Sequence, residues 1–154
     1  SQPLPVPGLT ETMAVVKLGD MDMPALKITQ TFGETRRVST FVPLLGQSAS
    51  ASVIFTSSSV GRRGRANWGA YSTSKFATEG LMQILADEHQ GSAIRFNSLN
   101  PGATRTAMRQ SAYPDEDPRV LRTPEEIMPT YLWLMGPDSE TVSGQAFDAQ
   151  PPRT

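Results

Sequence analysis

The segment Ala51-Ser-Val-Ile-Phe-Thr56, flanked by serines, is a short and largely apolar run without glycine or proline. Such a run is consistent with a strand buried on both faces, the kind found in parallel sheets covered by helices. A second strand over Ile94–Leu99 is broken by Asn100-Pro-Gly102. Between them, Tyr71 to about Gln90 reads as a helix whose apolar stripe is Phe76, Leu81, Ile84 and Leu85. Thr123 reads as an N-cap, with Pro124 at the first helical position and Glu125 and Glu126 in the first turn. That helix is expected to run to about Met135 and stop at Gly136-Pro137, with Gly144–Ala149 as a last short strand. Strands that alternate with helices in this way pair in parallel through right-handed crossovers, so the fold class is α/β.

The flanking regions are less regular. Residues 1–25 contain four prolines and show no sustained period, which predicts loop or tail. In residues 26–46, Phe41, Val42, Leu44 and Leu45 end a helix that Gly46 stops. Residues 61–69, rich in Gly and Arg, read as a loop. The polar, proline-interrupted stretch 103–122 is too long for a plain connector and has the character of a functional lid.

With 154 residues the chain is one modest domain, long enough to bury a core. Its 14 basic and 15 acidic residues supply no electrostatic reason for a nucleic-acid or anionic-membrane partner. The absence of cysteine removes disulfides and thiolate metal sites and fits a reducing compartment. No apolar run approaches a membrane span, and the N-terminal residues lack signal-peptide character. A cytoplasmic location is the expectation.

Tyr71 and Lys75 lie four apart, on one face of the helix and one turn from each other. A cation within roughly 4–6 Å favours the anionic form of a phenol. On its own the pair is commonplace on helices. Ser58, at the end of the first apolar strand, could hold the oxygen that gains or loses a proton, completing a proton-transfer triad. Its neighbours Ser57 and Ser59 leave open which hydroxyl points inward, although the spacing favours Ser58. Ser72-Thr-Ser-Lys75 also matches the S-x-x-K of penicillin-binding acyltransferases, but without their S-D-N and K-T-G companions. His89, the one histidine, reads as solvated at a polar helix end, and no metal site is expected. Arg62, Arg63 and Arg65 read as a solvated loop. Met128, Tyr131, Leu132, Leu134 and Met135 read as core or subunit contact.

Val53-Ile-Phe-Thr-Ser-Ser-Ser-Val-Gly61, Asn67-Trp-Gly-Ala-Tyr-Ser-Thr-Ser-Lys-Phe-Ala77, Arg95-Phe-Asn-Ser-Leu-Asn-Pro-Gly102 and the stretch from Glu125 to Gly136 together resemble the C-terminal half of a short-chain dehydrogenase/reductase, most closely the bacterial YciK-type oxidoreductases. The resemblance continues to Phe147-Asp-Ala-Gln-Pro151 and is continuous from about Phe41, making residues 41–154 a catalytic half and residues 1–40 a poorly matched segment. It implies the C-terminal part of a Rossmann-like doubly wound parallel sheet. It also implies hydride transfer between NADP or NAD and a small-molecule carbonyl/alcohol substrate. By resemblance Tyr71 is the general acid/base, Lys75 lowers its pKa and holds the cofactor ribose, and Ser58 orients the substrate oxygen. Pro101, Gly102, Thr104 and Thr106 then meet the nicotinamide carboxamide, Thr104 through its backbone and Thr106 through its hydroxyl. A homo-oligomer formed through the helices flanking the Ser58 strand is implied as well.

The resemblance has a gap. No G-x-x-x-G-x-G precedes Ser58, so the turn that receives the pyrophosphate at a helix N-terminus has no counterpart and the nucleotide-binding half is missing. A further active-site asparagine of the family would align near Gln30. The expectation is weak or absent turnover by this chain, with a truncated product, a fragment completed by another polypeptide, or a non-catalytic remnant as its origin. The alternative function is a protein-binding or assembly module. A three-stranded sheet with one open edge is expected to be marginally stable.

Overall fold

The computed structural model describes residues 12–18, 26–28 and 34–151. Its elements in chain order are β1 (Thr12–Leu18), β2 (Leu26–Ile28), α1 (Glu34–Leu45), β3 (Ala51–Thr56), α2 (Gly69–Glu88), β4 (Ile94–Asn100), α3 (Ala107–Ala112), α4 (Pro124–Met135) and β5 (Ala146–Asp148). The sheet order is β2-β1-β3-β4-β5. β3, β4 and β5 are parallel, as alternation with helices requires, and Ala51 to Thr56 pair with Ile94 to Leu99 in register.

β3 is buried along its length because its alternate side chains enter two different cores. Val53 and Phe55 pack with Val38 and Leu45 of α1, with Met82, Leu85 and Ala86 of α2, and with Ile94 and Phe96. Ile54 faces the other way, with Leu99 and with Ile127, Tyr131 and Leu134 of α4. Helices therefore cover both faces, the layering of a doubly wound sheet. α4 begins at the predicted cap: the Thr123 hydroxyl accepts from the Glu126 N–H, and the Glu126 carboxylate accepts from the Thr123 N–H at 2.6 Å.

The structure corrects several expectations. Thr12–Leu18, read as loop, is a strand that pairs antiparallel with β3, with Ala14 opposite Phe55 and Leu18 opposite Ala51. It lies along the edge of β3 that a three-stranded sheet would leave open, and its antiparallel direction departs from the all-parallel expectation. The apolar run Ala14-Val-Val16 suits a strand; the prolines on either side hid it. Residues 1–11 and 19–25, read as loop, and Gln30 lie outside the described residues.

The buried face of α2 is also not the apolar stripe. Phe76 and Ile84 are 47% and 56% exposed, Leu81 is half-buried, and only Leu85 of the four is buried. The face that meets the sheet runs through Ser72, Lys75, Thr78, Glu79, Met82, Leu85 and Ala86. Those positions have helical spacing, but four of the seven are polar, so an apolar pattern misses them.

His89 is half-buried rather than solvated. Its Nδ1 lies 2.9 Å from the Leu85 carbonyl oxygen and its ring 5.2 Å from that of Phe96. Arg62 is likewise no solvated loop residue, for it bonds Glu79, Asp148 and the Phe147 carbonyl. Arg63 and Arg65 are exposed as expected. Among the described residues no helix is long and apolar enough to cross a membrane, and no cluster of three His, Cys, Asp or Glu could hold a metal.

Candidate active site

The parallel strands bring their carboxyl ends together, which is where open α/β sheets carry ligands. The ladder extends one step past β3, with the Ser57 N–H donating to the Leu99 carbonyl at 2.8 Å. Ser58 follows in extended conformation, and the chain then turns through a short 3-10 segment, Ser59–Gly61. The three serines are thereby separated: Ser57 is buried, Ser58 half-buried and Ser59 exposed. The Ser57 hydroxyl is buried without a hydrogen-bond partner.

α2 places Tyr71 in its first turn and Lys75 in the next. Tyr71 is half-buried, its ring 5.6 Å from that of Trp68 and tilted by 54°. Lys75 is 2% exposed, with Nζ 5.7 Å from the centre of the Tyr71 ring, and donates to the Thr56 carbonyl at 3.0 Å. The ammonium thus ties the helix to the end of the strand that carries Ser58. No hydrogen bond joins the Ser58 and Tyr71 side chains. Ser72, the nucleophile of the acyltransferase reading, is buried and donates its hydroxyl to the Val60 carbonyl at 2.6 Å. That bond is structural: it fastens α2 to the Ser58 turn.

Gly61 explains how the two segments come so close. A Cβ there would lie 2.8 Å from Lys75 Cβ and 2.9 Å from the Lys75 backbone. Gly61→Ala is therefore expected to destabilise by about 1–3 kcal/mol, because backbone cannot yield as a flexible side-chain tip can. A urea unfolding curve superposable on that of the parent chain would show that the contact is relieved at no cost.

Pro101, Gly102 and Thr104 form the turn beyond β4. Gly102 has φ +72°, a left-handed conformation in which glycine is unstrained. Its N–H donates to Asn100 Oδ1 at 3.1 Å, while Asn100 Nδ2 donates to Asp148 Oδ1 at 2.7 Å. Thr104 is buried and bridges to Arg122. Thr106 caps α3 by accepting from the Arg109 N–H. The expected lid is a folded unit: Arg105 donates to the Pro118 and Leu121 carbonyls, and Arg109 pairs with Glu116 at 2.6 Å while lying over the Tyr113 ring.

Sequence reasoning missed the polar framework behind the turn. Glu79, 5% exposed, accepts from Arg62 Nε at 2.9 Å and from the Ser98 hydroxyl at 2.6 Å. Arg62 continues to Asp148 at 3.2 Å, and Asp148 to Asn100. Bonds thus run from the underside of α2 to Gly102. The only local signal was polarity at a buried-strand position, Ser98, which asks for a partner.

Known proteins share the sequence and fold of this chain. The short chain dehydrogenase family model matches residues 8–117. The chain is 58% identical over 132 residues to the uncharacterized oxidoreductase YciK of Escherichia coli (strain K12), covering 86% of this chain and 51% of that protein. A crystal structure of a short chain dehydrogenase from Salmonella enterica serovar Typhi is 63% identical with a TM-score of 0.73, over 74% of this chain and 47% of that one. A short chain dehydrogenase from Shigella flexneri 2a, complexed with NADP, is 63% identical with a TM-score of 0.72, over the same shares. The chain spans about half the length of the relatives it matches. In sequence and in fold alike, it belongs to the short chain dehydrogenase family.

Proposed function

We propose that this chain carries the proton-transfer and nicotinamide side of an NADP(H)- or NAD(H)-dependent oxidoreductase acting on a carbonyl/alcohol pair. The observation that carries the reading is the buried Lys75 ammonium, held between the Tyr71 ring and the end of the Ser58 strand. Burial of a lysine is costly, and here it puts a cation beside the Tyr71 phenol.

The residues present fit the nicotinamide half of a dinucleotide. The Ser57 hydroxyl is orphaned at the end of β3, and the Gly102 turn lies beside it, beyond the end of the paired strand β4. Lys75 and Tyr71 would hold the ribose, and Pro101, Gly102, Thr104 and Thr106 the carboxamide. The Thr106 oxygen already accepts from Arg109, which leaves its proton free to donate. When bound, the dinucleotide supplies or takes up the hydride. Ser58 orients the substrate oxygen. Tyr71 gives its phenolic proton to that oxygen as a carbonyl becomes an alcohol, or takes it back in the reverse direction. Lys75 stabilises the negative charge that this transfer leaves on the tyrosine oxygen.

The sequence before Ser58 contains no glycine-rich phosphate turn, which supports weak or absent turnover by the 154-residue chain. A homo-oligomer through α1 and α2 is part of the proposal, supported by the outward-facing Leu44, Phe76 and Ile84. So is a cytoplasmic location, supported by the cysteine-free sequence.

Titrating the chain with NADPH, followed by nicotinamide fluorescence, should give saturable binding with little turnover of a carbonyl panel. Failure to bind, together with a stable complex with another polypeptide, would favour an assembly module. Turnover at ordinary enzymatic rates would sink the weak-activity reading.

A further inference from the structure

The turn at Pro101–Thr104 is held from beneath by one side chain to which no role has been given above. Gln150 follows β5 and is half-buried. Its Nε2 lies 2.7 Å from the Pro101 carbonyl oxygen, 3.2 Å from that of Ala103 and 3.4 Å from Thr104 Oγ1. Two carbonyls flanking Gly102 therefore converge on one amide nitrogen. The Gln150 side chain also fills the space beside Gly102, lying 3.1–3.3 Å from where a Cβ would be.

We propose that Gln150 is a positioning residue for the nicotinamide-binding turn, acting by donating to the Pro101 and Ala103 carbonyls. This rests on the dinucleotide reading above and adds a residue to it. With both carbonyls drawn toward β5, the peptide units of the turn are oriented with their oxygens inward. The Thr104 N–H has no partner among the described residues, so it stays available to a ligand. Gln150 and Asn100 act on opposite polarities of the same turn: Gln150 donates to its carbonyls, and Asn100 accepts the Gly102 N–H.

The chemistry predicts that a donor, rather than a particular shape, is required at this position. Gln150→Glu keeps the length but faces the two carbonyls with an acceptor, whereas Gln150→Lys keeps a donor. The probe is reduced nicotinamide mononucleotide, which lacks the adenosine half, titrated into the intact chain by fluorescence and by the amide resonances of Gly102 and Thr104. Gln150→Glu should weaken binding by about tenfold or more, and Gln150→Lys should stay within about threefold of the parent, independently of their melting temperatures. If Gln150→Glu does not fold, Gln150→Met, which has no donor, is read in its place. Equal losses in the donor and acceptor variants, or no loss in either, overturn the role of Gln150 while leaving the dinucleotide reading intact. No binding by the parent chain overturns that reading, and the inference with it.

Discussion

Glu79→Ala is expected to cost roughly 2–4 kcal/mol of folding stability, a large fraction of what a domain of this size possesses. Glu79 is buried on α2 and accepts two short bonds, from Arg62 Nε and from the Ser98 hydroxyl. Removing the carboxylate leaves Ser98, fully buried on β4, without its acceptor. It also strips Arg62 of its buried partner. Breaking a fully buried ion pair typically costs about 3–5 kcal/mol. The smaller range applies here because the Arg62 side chain is 28% exposed and keeps Asp148 and the Phe147 carbonyl. Glu79→Gln, which can still accept from Arg62, should lose only about 1 kcal/mol. Urea denaturation of both variants decides the matter; an alanine variant within about 0.5 kcal/mol of the parent would show that the pair contributes nothing net.

Lys75→Met should weaken NADPH binding by roughly 10- to 100-fold, the loss of one or two charge-assisted hydrogen bonds. Methionine keeps an unbranched apolar stem and the same Cβ, so the close contact of Gly61 with the residue 75 backbone and Cβ survives. What disappears is the ammonium between Tyr71 and the Thr56 carbonyl. Lys75→Arg should not rescue binding, because a planar guanidinium cannot replace a compact point cation at a buried position fixed by the Thr56 carbonyl. Isothermal titration of the two variants with NADPH is the measurement. Affinity within threefold of the parent for Lys75→Met would remove Lys75 from the site.

Much of the central architecture was legible before the structure was known. β3 appears over its predicted residues, β4 runs one residue beyond its predicted end to Asn100, and α4 starts on the predicted cap. In each case the deciding interactions lie within one strand or one helical turn. The placement of Tyr71 and Lys75 on one helix face follows from the same local periodicity. The stripe on α2 was misread for the opposite reason. Its inner face keeps Ser72, Lys75 and Glu79 because Val60, Thr56, Arg62 and Ser98 satisfy them, and none of those partners is visible within the helix. β1 was missed because a strand flanked by proline-rich sequence declares itself only by pairing, and its partner β3 lies beyond α1.

The sequence by itself therefore determined the alternation of strands and helices, the α4 cap and the Tyr71–Lys75 pair, since each depends on neighbours a few residues away. Only the tertiary structure decided that β1 covers β3, that Arg62 joins α2 to β5, and that Gln150 holds the Pro101 turn. Those contacts close loops of up to 86 residues, from Arg62 to Asp148. Their partners are selected by the geometry of the assembled sheet, which no local pattern encodes.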